Sequence, residues 1–179
     1  MGEDSQSIYQ VCTQPDYVFV KVNGRASYVN CDPFRRFLHD VLADGQCKFV
    51  FDFADCSGLD STFLGILAGV ALAIRGKEED SCMTLLQLGE RNLETVKNLG
   101  IHRIANVRAK ENPPDIENLE GIGDGFNGET ASVREVYEAH KRLTELNESN
   151  ARKFHDVVAF LEQRLDEEEV GDRDPDKTQ

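Results

Sequence analysis

The residues best equipped for chemistry, Asp52, Asp55, Asp60, Ser61 and Thr62, stand together in the run FVFDFADCSGLDSTFLG at residues 49–65. Residues 49–53 are aromatic and β-branched with one acid among them, which predicts a buried strand, and Gly58 supplies the freedom of a turn. Asp60, Ser61 and Thr62 then open an apolar stretch, where side-chain oxygens of these types cap orphan amides and the helix start carries about half a positive charge. On spacing alone Ser61 is a cap worth about 1 kcal/mol. Asp55 and Asp60 could pair as metal ligands or as acid and base. No His, Lys or third carboxylate follows them closely, so orienting the turn and setting the local charge is the better reading. The glycines are wrongly spaced for a G-x-S-x-G nucleophile turn. His39, His102, His140 and His155 share no ligand spacing and read as surface or partly buried side chains.

The stretch Asp55-Cys56-Ser57-Gly58-Leu59-Asp60-Ser61-Thr62 resembles the STAS domain of bacterial anti-sigma-factor antagonists, in which an acid closes the third strand and Asp-Ser-Ser/Thr opens a helix. Asn98-Leu99-Gly100-Ile101-His102-Arg103-Ile104 is similar to the family's late leucine-glycine-leucine signature, and the resemblance spans residues 8–107. Phe63 departs from it, standing where many members have Gly. The resemblance implies a STAS-like α/β fold, a mixed β-sheet packed with helices, in a small cytoplasmic switch. It also implies that Ser61, or secondarily Thr62, is phosphorylated by a partner serine kinase and restored by a serine phosphatase. A face formed by Asp55, Asp60, Ser61, Thr62 and Leu64 would hold the anti-sigma factor or kinase while Ser61 is unmodified.

The elements that position this turn can be read from periodicity. Residues 8–13 and 17–22 flank Gln14-Pro15-Asp16 as a hairpin. Asp32-Pro33 opens a helix carrying Phe34, Phe37, Leu38, Val41 and Leu42 on one face, and Gly45 stops it. Strands at 83–88 and 105–107 and a helix at 93–99 complete a β-β-α-β-α-β-α-β order. The helix from Ser61 to about residue 75 is apolar nearly all round and should be central, with Gly65 and Gly69 letting it lie close on the sheet.

Residues 111–129 carry six acids and no base and are rich in Pro, Gly and Asn, which predicts a long acidic loop, either mobile or functional. Ser132-Val133-Arg134-Glu135 fits a capping box, and Val133, Val136, Tyr137, His140 and Leu143 define one helical face. A second stripe, Phe154, Val157, Val158, Leu161 and Leu165, extends beyond what the family's domain needs. It should be covered by the parent domain or, through these C-terminal helices, by a second copy or another protein. The chain thus divides into a STAS-like domain at 1–110, an acidic loop at 111–129, a C-terminal helical extension at 130–165 and a disordered acidic tail at 166–179.

The formal charge of -13 sits mostly in that loop and tail, leaving a nearly neutral body, which argues against sequence-independent nucleic-acid binding. The longest apolar stretch, residues 63–74, is too short to span a bilayer, and no secretion signal is legible. Five cysteines, odd in number and widely spaced, read as buried free thiols. No metal or cofactor is expected. The resulting expectation is a non-catalytic, phosphorylation-switched binding module. The alternative is a signalling scaffold that assembles through its C-terminal helices.

Overall fold

The computed structural model describes residues 7–79, 81–123 and 130–171. Its hydrophobic strand segments pair into a six-stranded sheet. Strands β1 (Tyr9–Thr13) and β2 (Val18–Val22) form the expected hairpin, with Tyr9 opposite Val22 and Thr13 opposite Val18. Strands β4 (Lys48–Asp52), β6 (Cys82–Leu86) and β7 (Asn106–Arg108) add in parallel to β2, and β8 (Glu120–Ile122) closes the other edge antiparallel to β1. The order is β7-β6-β4-β2-β1-β8. Helices α1 (Asp32–Ala43), α2 (Ser61–Ile74) and α3 (Glu90–Asn98) make the crossovers. This is the mixed α/β architecture the sequence predicts, with a helical C-terminal extension.

Two short strands were not legible as such. Strand β3 (Gly24–Ala26) follows directly on the hairpin. Strand β5 (Cys56–Leu59) occupies the expected acidic turn. They pair in parallel as a separate two-stranded sheet immediately before α2. Three or four residues containing glycine carry no usable alternation.

Side chains alternating along the strands fill one face of the sheet: Val18, Val20, Val22, Phe49, Phe51, Met83 and Leu85 are all buried in one core with the helices. Tyr9, Phe34 and Phe63 stack through it, at ring-centroid distances of 4.7 Å for Tyr9–Phe34 and 5.1 Å for Phe34–Phe63. Helix α2 is central, as its apolar circumference requires, with nine buried residues along fourteen. Its glycines do not face the sheet, however. A Cβ on Gly65 would lie 2.2 Å from the Ala139 carbonyl oxygen, and one on Gly69 would meet Arg142 at 3.6 Å. Both neighbours belong to α4 (Val133–Thr144), so the small residues admit that helix instead.

The described part of the acidic segment is a strap. It leaves β7 at one edge of the sheet and enters β8 at the other, a span of about 24 Å that eleven extended residues can cover. Gln87 donates to the Asn112 side chain at 2.6 Å, and the Cys12 thiol lies 3.8 Å from the Glu117 carbonyl oxygen. Pro113, Ile116 and Leu119 are half-buried at every third position while their neighbours are exposed. Cys12 projects from the sheet face opposite Val11, so the strap crosses the side away from the helices. The sequence reading missed β8. Residues 124–129 lie outside the described residues.

The capping box at Ser132 and Glu135 forms as expected and starts α4. Helix α5 (Glu148–Gly171) folds back on α4, and Phe154 and Leu165 are buried. The helix runs six residues past Leu165, correcting the expectation of a disordered tail from residue 166. The polar run 166–169 continues the helix with Glu side chains in water, and Arg134 pairs with Glu169 at 3.1 Å. Residues 172–179 lie outside the described residues. The turn before α5 is clamped to the body by Asn150, which is 1 % exposed and donates to the Leu99 carbonyl at 2.8 Å and the Leu143 carbonyl at 2.9 Å. Asn150→Ala leaves both carbonyls without this donor. It is expected to cost about 2 kcal/mol in urea unfolding, and a loss below 0.5 kcal/mol would show the clamp to be dispensable.

Candidate functional site

The β3–β5 pair and the start of α2 form one end of the molecule, and Asp60 organises it. Its Oδ1 accepts from the Phe63 amide at 2.9 Å, capping α2, while its Oδ2 accepts from the Tyr28 amide at 2.7 Å. One carboxylate therefore fixes both the helix start and the loop between β3 and α1. That loop is further held by Asn30, whose Oδ1 accepts from Tyr9 Oη at 2.9 Å and from the Ser27 amide at 3.0 Å. Tyr28 and Val29 project from it, 49 % and 42 % exposed. Asp60→Ala removes both acceptors and is expected to destabilise by about 1.5 kcal/mol in thermal or urea unfolding. No change in melting would refute its role as the joint cap.

Asp55 is exposed and pairs with Lys21 at 2.8 Å. Asp52, the third acid, is buried and turned into its own backbone, accepting from the Ala54 amide at 3.0 Å. The three acids therefore orient turns and partner one base, and they do not converge. Among the described residues no group of three His, Cys, Asp or Glu is placed to hold a metal ion.

Ser61 is half-exposed at the first position of α2. Its Oγ lies 2.9 Å from His140 Nε2, and His140 Nδ1 lies 2.8 Å from the Val136 carbonyl oxygen. A carbonyl only accepts, so Nδ1 carries the ring proton and Nε2 of the neutral imidazole accepts from the Ser61 hydroxyl. His140 is 6 % exposed and meets the edge of Phe154 at 5.2 Å. Sequence reasoning missed this partner. It lies 79 residues from Ser61, and its one signal was a lone polar residue in the apolar stripe of α4.

Two residues expected on the contact face are not there. Thr62 is 3 % exposed and Leu64 is fully buried, because α2 is covered on nearly every side immediately after Ser61. Thr62 is thus no accessible acceptor, and Leu64 belongs to the core. Phe63 is also buried, stacked on Phe34 and crossing Phe53 edge-on at 6.3 Å, so its bulk stays off the surface around Ser61. Of the residues from Asp55 to Ser61, Asp55 and Ser57 are exposed and Asp60 and Ser61 half-exposed, with Tyr28 and Val29 projecting from the loop that Asp60 holds.

No disulfide joins the five cysteines; Cys31 and Cys47 are buried and the other three half-buried. Burial pushes the Cys31 thiol up to about 12 and raises that of Cys56 beside the site, which keeps both protonated and poorly nucleophilic. Among the described residues no helix is long and apolar enough to cross a membrane.

No family model and no curated protein matches the sequence. Solved structures that share the fold include two with TM-scores of 0.50. One is a Thermotoga maritima protein assigned as an anti-sigma factor antagonist, with a TM-score of 0.50 and 19% identity, covering 56% of this chain and 85% of its own. The other is an anti-sigma factor antagonist from Mycobacterium paratuberculosis, with a TM-score of 0.50 and 17% identity, covering 60% of this chain and 90% of its own. The chain has the STAS fold of the anti-sigma factor antagonists, enlarged at its C-terminus.

Proposed function

We propose that this protein is a phosphorylation-switched binding module of the anti-sigma-factor-antagonist type, with Ser61 as its acceptor. The observation that carries the reading is the placement of Ser61: a half-exposed hydroxyl on the first residue of α2, directly after Asp60, whose carboxylate also holds the loop bearing the exposed Tyr28 and Val29. A partner serine kinase or anti-sigma factor in the cytoplasm binds this face while Ser61 is unmodified. In the kinase reaction Ser61 Oγ attacks the γ-phosphorus of a nucleoside triphosphate and the bond to the departing diphosphate breaks. The hydroxyl proton passes to a base of the kinase. The product carries about -1.5 to -2 added charges next to the Asp60 carboxylate, which changes the field of the face more than its shape and releases the partner. A serine phosphatase restores it.

The test is incubation with ATP and the cognate serine kinase, followed by intact mass and fragment mapping. One added phosphoryl group on Ser61, absent from Ser61→Ala, supports the reading; phosphate only elsewhere refutes it. A second reading, a scaffold that assembles through α5, is favoured by the exposure of Val157 and Phe160, at 41 % and 60 %. Under it, Ser61 is unmodified and light scattering shows a dimer that Phe160→Glu dissociates.

A further inference from the structure

The hydrogen bond between Ser61 and His140 joins the candidate switch to the C-terminal helix pair, and two features make the joint rigid. His140 is held from three directions: its Nδ1 on the Val136 carbonyl, its Nε2 on Ser61 Oγ, and its ring on Phe154 of α5. Beside it, at Ala139, α4 touches α2 backbone to backbone, so closely that Gly65 admits no Cβ. The gap between Ser61 Oγ and Nε2 is 2.9 Å, room for the shared hydrogen and nothing larger.

We propose that His140 is a positioning residue through which the α4–α5 pair senses the state of Ser61, a phosphate on Ser61 and a seated His140 excluding one another. The inference rests on the reading of Ser61 as the acceptor. Phosphorylation replaces the hydroxyl hydrogen with a phosphoryl group that cannot occupy the gap. Either Ser61 turns outward, leaving Nε2 buried without a partner, or α4 moves off α2. Both outcomes loosen the helix pair, because a buried nitrogen that loses its partner weakens the packing that hides it. By linkage the coupling is reciprocal: whatever holds α5 on α4 favours the unmodified hydroxyl, and whatever draws α5 away exposes it.

Hydrogen exchange on the full chain tests this, with phosphoserine installed at position 61 during synthesis so that no kinase is needed. Peptides covering α4 and α5 are expected to exchange about tenfold faster in the phosphoserine protein than in the unmodified one. In His140→Phe the same modification should change exchange less than twofold, and His140→Gln, which keeps an acceptor, should restore part of the difference. Should His140→Phe fail to fold, Ser61→Ala provides the second arm: it removes only the donor and should speed exchange in α4 about threefold. In the unmodified protein the imidazole nitrogen spectrum should show Nε2 unprotonated and hydrogen-bonded, a signature Ser61→Ala abolishes. Equal exchange in the two modification states, or slower exchange with phosphoserine, overturns the proposal. Because the phosphate is placed synthetically, that failure is separable from a failure of Ser61 to be the kinase's target.

Discussion

Phe63→Ala is expected to lower the free energy of unfolding by about 4 kcal/mol, the range for truncating a fully buried phenylalanine. The ring is completely buried within a stack that joins β1, α1 and α2: Tyr9 lies 6.1 Å from it, Phe34 5.1 Å and Phe53 6.3 Å. Those rings are themselves fully buried, so truncation leaves a cavity inside the core. The same placement separates stability from recognition. Although Phe63 is two residues from Ser61, none of its surface reaches a partner, so the folded variant should keep its affinity. Urea unfolding with a change below 1.5 kcal/mol would contradict the packing described for α2.

Gly65→Val is expected to cost about 3 kcal/mol or more and to unseat α4. The contact it violates is with the Ala139 backbone, so rotation of a neighbouring side chain cannot relieve it. The α4–α5 pair should therefore exchange its amides faster than the sheet, since the clash falls on α4. Gly69→Ala, whose new Cβ would meet only the stem of Arg142 at 3.6 Å, should be close to neutral and serves as the control. Equal effects from the two substitutions would show that close helix approach at Gly65 is not what matters.

The central features were legible because their signals are local and strong. Phe49, Phe51 and Phe53 with Val50 announce a strand, and the apolar run after Ser61 announces a buried helix. Asp60, Ser61 and Thr62 were read as capping types with Ser61 as the cap on spacing alone, whereas the cap of α2 is Asp60 and Ser61 is its first helical residue. What failed depended on the third dimension. Strands β3 and β5 exist only because they pair with each other, and β8 only because the strap carries it to the edge of β1. The nearly all-round apolarity of α2, already visible in its sequence, was reason enough to place Leu64 inside the core rather than on the contact face. His140 is the instructive omission. A histidine in a helical stripe has the same pattern whether it merely fills space or receives a hydrogen bond from the Ser61 hydroxyl. Only the folding of α4 against Gly65 brings it to Ser61.

The claim that Ser61 is the switch is tested most directly by titration calorimetry of the cognate serine kinase or anti-sigma factor against three forms of the chain: unmodified, Ser61→Ala and phosphoserine at position 61. The account predicts that the first two bind alike and that the third binds at least a hundredfold more weakly, about 2.7 kcal/mol. Equal affinity of the phosphoserine and unmodified forms would contradict it.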